Sequence, residues 1–496
     1  MRGFTVQSDP SKLGSSDSKL TLAILIGAPL FMIVVAVSSL FLRERAARDQ
    51  FAIKIAQLRS EGMPVDNESM QQFINSLTSD QHVQEWLLVF ASLSSEEFQK
   101  ASDQVPALGT HIQGEIPAPG QLWPDQLAQQ NQVTDEAGDP VAASSDTQYA
   151  CEQTVRSFLD RWKELSEQAQ RLALRQLNPD AQTVRFISDY KNQDIFGHQQ
   201  PLRTASRLLR LRGELAAHDR DADQLSESVL AMKGCAAVID KDALLVCQLI
   251  KGAIRNSAID LLKTGIEMDL LNEKHLIEIL IEMLEGAQIG SGWKTAMLGE
   301  RAFVLSVFQV GFPGQQLSQL QFRSRDALYS LELFDRILDI PQDDLDQFLQ
   351  GHKQHEMWLQ QLRLGSWITQ FDAALTSELA PSIDSFAKAH VQNVIGHRLA
   401  AIAIGLRLYE MRHGHFPEGL EELKKLNMGA EQLLDPDQMM PSGGRPFGYQ
   451  LENDHAVLWG FDLMKEHCTP DQIPDYSTSS ELPLWVWRLQ ATGQEP

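Results

Sequence analysis

His352-Lys353-Gln354-His355-Glu356 comes nearest in this chain to a metal-binding set, with two imidazoles and a carboxylate at i, i+3 and i+4. On a helix these side chains share one face, and imidazole with carboxylate is a donor set that zinc and its neighbours accept. The spacing differs from HExxH, where two histidines four apart flank the glutamate. An exposed polar helix face is the competing reading, and His352, His355 and Glu356 stand as the candidate metal ligands. Arg203, Arg207, Arg210 and Arg212 form a basic cluster that could grip a carboxylate or phosphate. Glu214, Asp219 and Asp221 lie close by, which favours a salt-bridged solvent face. Glu278 and Glu282 resemble half of a carboxylate di-metal site, but no matching Glu-x-x-His accompanies them, so a solvated face is expected there too. His413 and His415 flank Gly414, where a turn with Phe416-Pro417 packing inward accounts for them. The chain has no GxSxG elbow, P-loop, kinase set or GxGxxG after a strand, and Gly290-Ser291-Gly292 before Trp293 reads as a turn. No catalytic residue and no cofactor is therefore assigned.

The elements that must position these residues are helical. Across 150–413 runs such as Leu276, Ile277, Leu280, Ile281 and Leu284 recur at helical spacing, and few stretches alternate at period two. The pattern predicts helices near 150–177, 201–217, 222–238, 242–264, 272–285, 295–309, 325–339, 343–363, 365–378 and 382–413. Breaks fall at Asn178-Pro179, Gly234, Gly286, Gly311-Phe312-Pro313-Gly314 and Ile340-Pro341. With no fixed repeat period, an irregular stack of helical hairpins is expected. Residues 414–496 read as a small α+β module: a turn and short helix after Gly414, then Phe447, Tyr449 and Leu451 answering Ala456 and Leu458 across Asn453-Asp454 as a β-hairpin. Leu482–Arg488 is expected to be a final strand or a packed tail, with Trp485 and Trp487 as candidate anchors for a partner.

Ahead of the body, residues 1–19 are polar and read as a disordered tail. Leu20 to Leu42 runs 23 residues without a charge. As a helix it would span roughly 34 Å, enough to cross a bilayer core, so a single transmembrane helix is expected. The run is longer than a cleavable signal's apolar region, and bulky Phe41-Leu42-Arg43 sits where cleavage would fall, which favours a retained signal anchor. Basic residues flank it on both sides, and long domains translocate largely regardless of such charges, so the count does not set orientation. Residues 43–108 read as juxtamembrane helices, and 109–149, rich in Pro, Gly, Gln, Ser and Asp, as a linker.

The chain has 43 basic and 66 acidic side chains, a net charge of −23, which argues against nucleic acid and against holding the globular part on anionic lipid by charge. Its four cysteines show no CxxC spacing, excluding a zinc ribbon or thioredoxin-type site. Cys235 and Cys247 lie 12 apart across a predicted interhelical turn. In an oxidising compartment they are the pair placed to form a disulfide, although buried cysteines also pack simply as small hydrophobes.

The residues His413-Gly414-His415-Phe416-Pro417, Leu420, Leu423, Asp435-Pro436 and Gly444-Arg445-Pro446-Phe447-Gly448-Tyr449 resemble the C-terminal module of large membrane-anchored proteins of planctomycete bacteria. Leu58 to Val65 and Arg203 to Arg212 carry further patches of that resemblance. The C-terminal motif is also similar to the helix-to-hairpin segment of type II secretion pseudopilins, with Phe416 where that segment has Tyr. The resemblance brings no activity; it implies an extracytoplasmic helical domain. The expected protein is thus a single-pass membrane protein with a periplasmic C-terminal domain that binds or organises envelope proteins, a reading that favours a non-enzyme and leaves an enzyme open. The alternatives are an enzyme with a dispersed, metal-dependent site, and a pseudopilin-like secretion component.

Overall fold

A computed structural model describes residues 16–75, 83–103, 105, 108, 152–178, 197–288, 292–310, 324–342, 344–426, 447–452, 455–460 and 486–491, with the backbone alone for some helical residues, among them 16–31. The expected linker at 109–149 and residues 1–15 of the tail expected at 1–19 lie outside these residues, whereas residues 16–19 of that tail are the start of a helix. The described chain is mainly helical. Helix α1 (Ser16–Ser60) is followed by α2 (Asn67–Asn75), α3 (Val83–Leu93) and α4 (Glu96–Ser102). The body contains α5 (Glu152–Arg161), α6 (Lys163–Gln176), α7 (Gln199–His218), α8 (Ala222–Val238), α9 (Leu245–Glu267) and α10 (Glu273–Gly286). It continues with α11 (Gly292–Val310), α12 (Ser324–Leu338), α13 (Leu345–Arg363), α14 (Trp367–Asp372) and α15 (Ala374–His413).

Local chemistry sets many of these boundaries. Asp221 and Asn272 accept hydrogen bonds from the backbone of Gln224 and His275 and so cap α8 and α10. Gly414, at φ +76°, closes α15 in the left-handed conformation that suits glycine. The expected break near Pro381 is absent, and α15 runs through it for 40 residues. Asp326 of α12 fixes where α15 starts, its carboxylate accepting from the Leu375 and Thr376 amides at 2.7 and 2.9 Å. The continuous run Leu399–Ile404, with Leu406 and Leu408, is buried on all sides. A helix apolar around its whole circumference belongs in a core, so α15 is the spine on which α9, α10, α12 and α13 pack.

The expected hairpin is the first part of a three-stranded antiparallel sheet: β1 (Gly448–Glu452), β2 (His455–Trp459) and β3 (Val486–Gln490), with β2 central. Trp487, expected as a partner anchor, is instead fully buried opposite Leu458, in the main core, because β3 packs on α9. Trp485 lies outside the described residues.

The segment expected to cross a membrane lies within α1, which continues without interruption to Ser60. Among the described residues no helix is long and apolar enough to cross a membrane, and most side chains of 20–42 fall outside them. Beyond residue 42, α1 is packed against the body: Glu44 accepts from the Ser324 amide at 2.7 Å, and Ile55 joins Val65, Leu305 and Leu331 in a satellite core.

Candidate functional site

Lys251 and Arg255 stand one turn apart on α9, on the face turned toward α15 and the α8–α9 turn. They line a cavity of about 360 Å³ together with Gln248, Asn256, His390 and Asn393. The cavity floor is built from hydrogen-bonded amides. Gln248 Nε2 donates to the Asp242 carbonyl at 2.7 Å, and Asn393 Nδ2 donates to the Gly252 carbonyl at 2.8 Å and Asn256 Oδ1 at 3.1 Å. Trp293 stacks on Phe386 with ring centroids 5.1 Å apart, closing the apolar side.

Charge in this cavity is only partly exposed to water, with Lys251 buried and Asp240 and Arg255 half-buried. Lys251 is ion-paired to Asp240, yet burial and the neighbouring Arg255 push its ammonium down to about 8. Burial would raise the Asp240 carboxyl, but Lys251 and Arg255 outweigh that and hold it well below the usual carboxylate range. Arg255 has no ion pair among the described residues, and its buried Nε lacks a hydrogen-bond partner. Burial lowers its affinity for a proton, with attraction from Asp240 and Glu285, which line the same cavity, and from Glu282 opposing that effect.

Behind the cavity, Lys233 of α8 and His397 of α15 meet at 2.8 Å, Nζ to Nε2. His397 Nδ1 lies 2.8 Å from the Asn393 carbonyl, which can only accept, so Nδ1 carries the proton and Nε2 accepts from Lys233. Burial pushes both groups well below their ordinary values. A Cβ at Gly286 would stand 2.1 Å from the His397 ring, so only glycine lets α10 approach that closely. Gly286 is legible in the sequence as a break and His397 as a residue of the long helix ending at His413, but nothing along the chain joins either to Lys233. Lys251 and Arg255, four apart on one predicted helix, are the sequence signal that could have pointed to this site, and neither stands among the candidates named from the sequence.

The residues expected as metal ligands are placed differently from expectation. His352 and His355 are 2 and 4 % exposed, so α13 does not show them on a solvated face. His352 Nε2 lies 2.8 Å from Asp384 Oδ1 of α15, and Lys388 Nζ lies 2.7 Å from Oδ2. His352, Glu356 and Asp384 hold one ligand atom each within 4.8 Å of one another. His355 falls outside that set and rests against Trp358, ring centroids 5.8 Å apart, with both ring nitrogens unpartnered. Burial, then His352, pushes it down to about 4. One imidazole and two carboxylates suit a borderline divalent ion, which would have to displace the Lys388 ammonium. Burial and the adjoining Asp384 raise Glu356.

A second group, His198, Asp242 and Cys247, also offers three ligand atoms within 4.8 Å. Here Asp242 Oδ1 accepts from the Leu244 amide at the start of α9, and Gln199 Nε2 donates to Cys247 Sγ at 2.8 Å. Cys235 and Cys247, the pair placed to form a disulfide, are not bonded to each other, and both are buried, as cysteines that pack as small hydrophobes are. Cys235 sits in the main core, where burial pushes its thiol up to about 12, whereas Cys247 packs in a separate cluster with Met70 and Ile74.

The remaining expected features are structural. Arg210 pairs with Glu214 at 2.7 Å, and Arg212 donates to Ser166 at 3.3 Å. Glu278 reaches Lys274 at 3.9 Å on an exposed face, and Glu282 faces the Lys233 side instead, so the two do not form a site. His413 packs on Tyr409 with ring centroids 4.3 Å apart, and Phe416 is buried. No family model matches this chain, and no curated protein or solved structure matches it.

Proposed function

We propose that this protein is a membrane-tethered binding protein whose helical body takes a small carboxylate- or phosphate-bearing molecule in the cavity between α9 and α15. One observation carries the ligand class: the Arg255 guanidinium borders a partly enclosed, amide-lined cavity with no ion pair of its own among the described residues. A guanidinium presents a planar fork matched to carboxylate or phosphate, and Arg255, which Asp240 and Glu285 of the same cavity attract without an ion pair among the described residues, keeps that fork for an anion. The amides of Gln248, Asn256 and Asn393 supply the few fixed polar contacts that orient a ligand in such a pocket.

Thermal unfolding of the full chain in detergent, with millimolar citrate or inorganic phosphate as probes, tests this reading. At 100-fold excess over the dissociation constant a ligand adds about 2.7 kcal/mol of stability. Arg255→Met should abolish that gain, and an equal gain in wild type and variant would sink the ligand assignment.

The uncharged stretch Leu20–Leu42, continued by the body-packed part of α1, supports the tether. The resemblance to planctomycete membrane-anchored proteins supports placing the body outside the cytoplasm. Protease added to intact spheroplasts should then digest the body while sparing a tag at Met1, and full protection of the body would reverse the topology.

A further inference from the structure

Helix α14 buries none of its residues, and its two aromatic side chains face outward: Trp367 and Phe371 are 73 and 70 % exposed, and Leu364 just before it is 84 % exposed. Trp367 and Phe371, four apart, lie on one face of the helix. The corner is well tied. Ser366 caps α14 by accepting from the Thr369 amide, and Gln370 Nε2 donates to the carbonyls of Arg363 and Gly365 at 3.0 and 3.1 Å. The exposure therefore belongs to a formed turn. Its position supplies the occupant. Asp372, the last residue of α14, accepts from Arg43 at 3.2 Å and from Arg325 at 2.8 Å. Arg43 directly follows Leu42, where the uncharged stretch of α1 ends, and Leu40, Phe41 and Leu42 are themselves exposed.

We infer that Leu364, Trp367 and Phe371 insert into the interfacial layer of the lipid bilayer beside α1, making the α13–α14 corner a second membrane contact; this rests on the tether proposed above. Trp is enriched where headgroups meet acyl chains because its ring is apolar with one polar N–H, and basic side chains such as Arg43 sit at the same level. Insertion of apolar side chains needs no positive surface, so it is compatible with a chain of net charge −23.

The test uses the full chain reconstituted in phosphatidylcholine vesicles whose acyl chains carry bromine, a quencher of tryptophan fluorescence. Among the described residues Trp367 is the one exposed tryptophan, so Trp367→Phe removes the reporter without touching the core. Wild type and variant should both float with vesicles after alkaline extraction, and the variant should lose at least about half of the bromine-dependent quenching. Flotation with equal quenching in both would overturn the corner contact and leave the tether standing. Failure of the wild type to float would overturn both.

Discussion

Two polar clusters sit on either side of the first turns of α9, built from similar materials and with opposite prospects. In the first, His198, Asp242 and Cys247 are all buried, and the contacts of Asp242 and Cys247 serve the chain itself: Asp242 holds the Leu244 amide and His198, and Gln199 donates to the Cys247 thiol. In the second, Lys251 finds Asp240, but Arg255 has no ion pair among the described residues and stands beside a cavity of about 360 Å³. Burial of polar groups is thus no sign of function by itself. A closed set of partners stabilises the fold, whereas an unmatched charge facing space has capacity for a ligand.

The contrast is broken most sharply by Asp242→Ala. That change frees a backbone amide and the His198 imidazole inside the protein and should cost about 3 kcal/mol of stability, measured by denaturant unfolding, with anion binding kept in whatever fraction stays folded. Loss of anion binding with unchanged stability would mean the two clusters had been assigned the wrong way round.

The second test concerns pH. Lys251 is pushed down to about 8 in the folded protein from an ordinary value of 10.5. Between these values the unfolded chain binds the extra proton, so stability should rise with pH from about 8 to 10.5, while below 8 the whole penalty is present. The attraction of Asp240 is already included in that value, and the size of the rise is on the order of 3 kcal/mol. In Lys251→Met this part of the rise should vanish; an unaltered pH profile in the variant would show that Lys251 is not the group responsible.

The smallest effect is expected for Arg255→Met without ligand. The change removes a poorly solvated charge and keeps apolar volume, so stability should stay within about 1 kcal/mol of wild type. A large loss would show that Arg255 is a structural member of the cavity wall. Together with the ligand-dependent measurement, the three variants separate what holds the cavity from what fills it.

Much of the helical architecture was legible because its causes are local. Apolar spacing marked α7 to α13 within a few residues, and Asp221, Asn272 and Gly414 carried their capping roles in their own identities. The β1–β2 hairpin followed from alternation around Asn453-Asp454 for the same reason. Where long-range packing competed with a local rule it prevailed: Pro381 did not end α15, and β3 turned Trp487 inward.

The candidate sites were much less legible, since their members come from distant segments. His352 and Glu356 share one helix, but the third member of the group that could hold a metal ion is Asp384, 32 residues after His352, and not His355. Lys233 and His397 are 164 residues apart and become partners only because Gly286 admits the imidazole against α10. By itself the sequence determined which segments are helical, the uncharged character of Leu20–Leu42 and the acidic balance of the whole, because periodicity, capping and composition act along the chain. Tertiary structure alone decided which charges were buried and which were left unmatched. Solvation and Coulomb attraction depend on distances across helices, and those are set when α9, α10, α13 and α15 pack together.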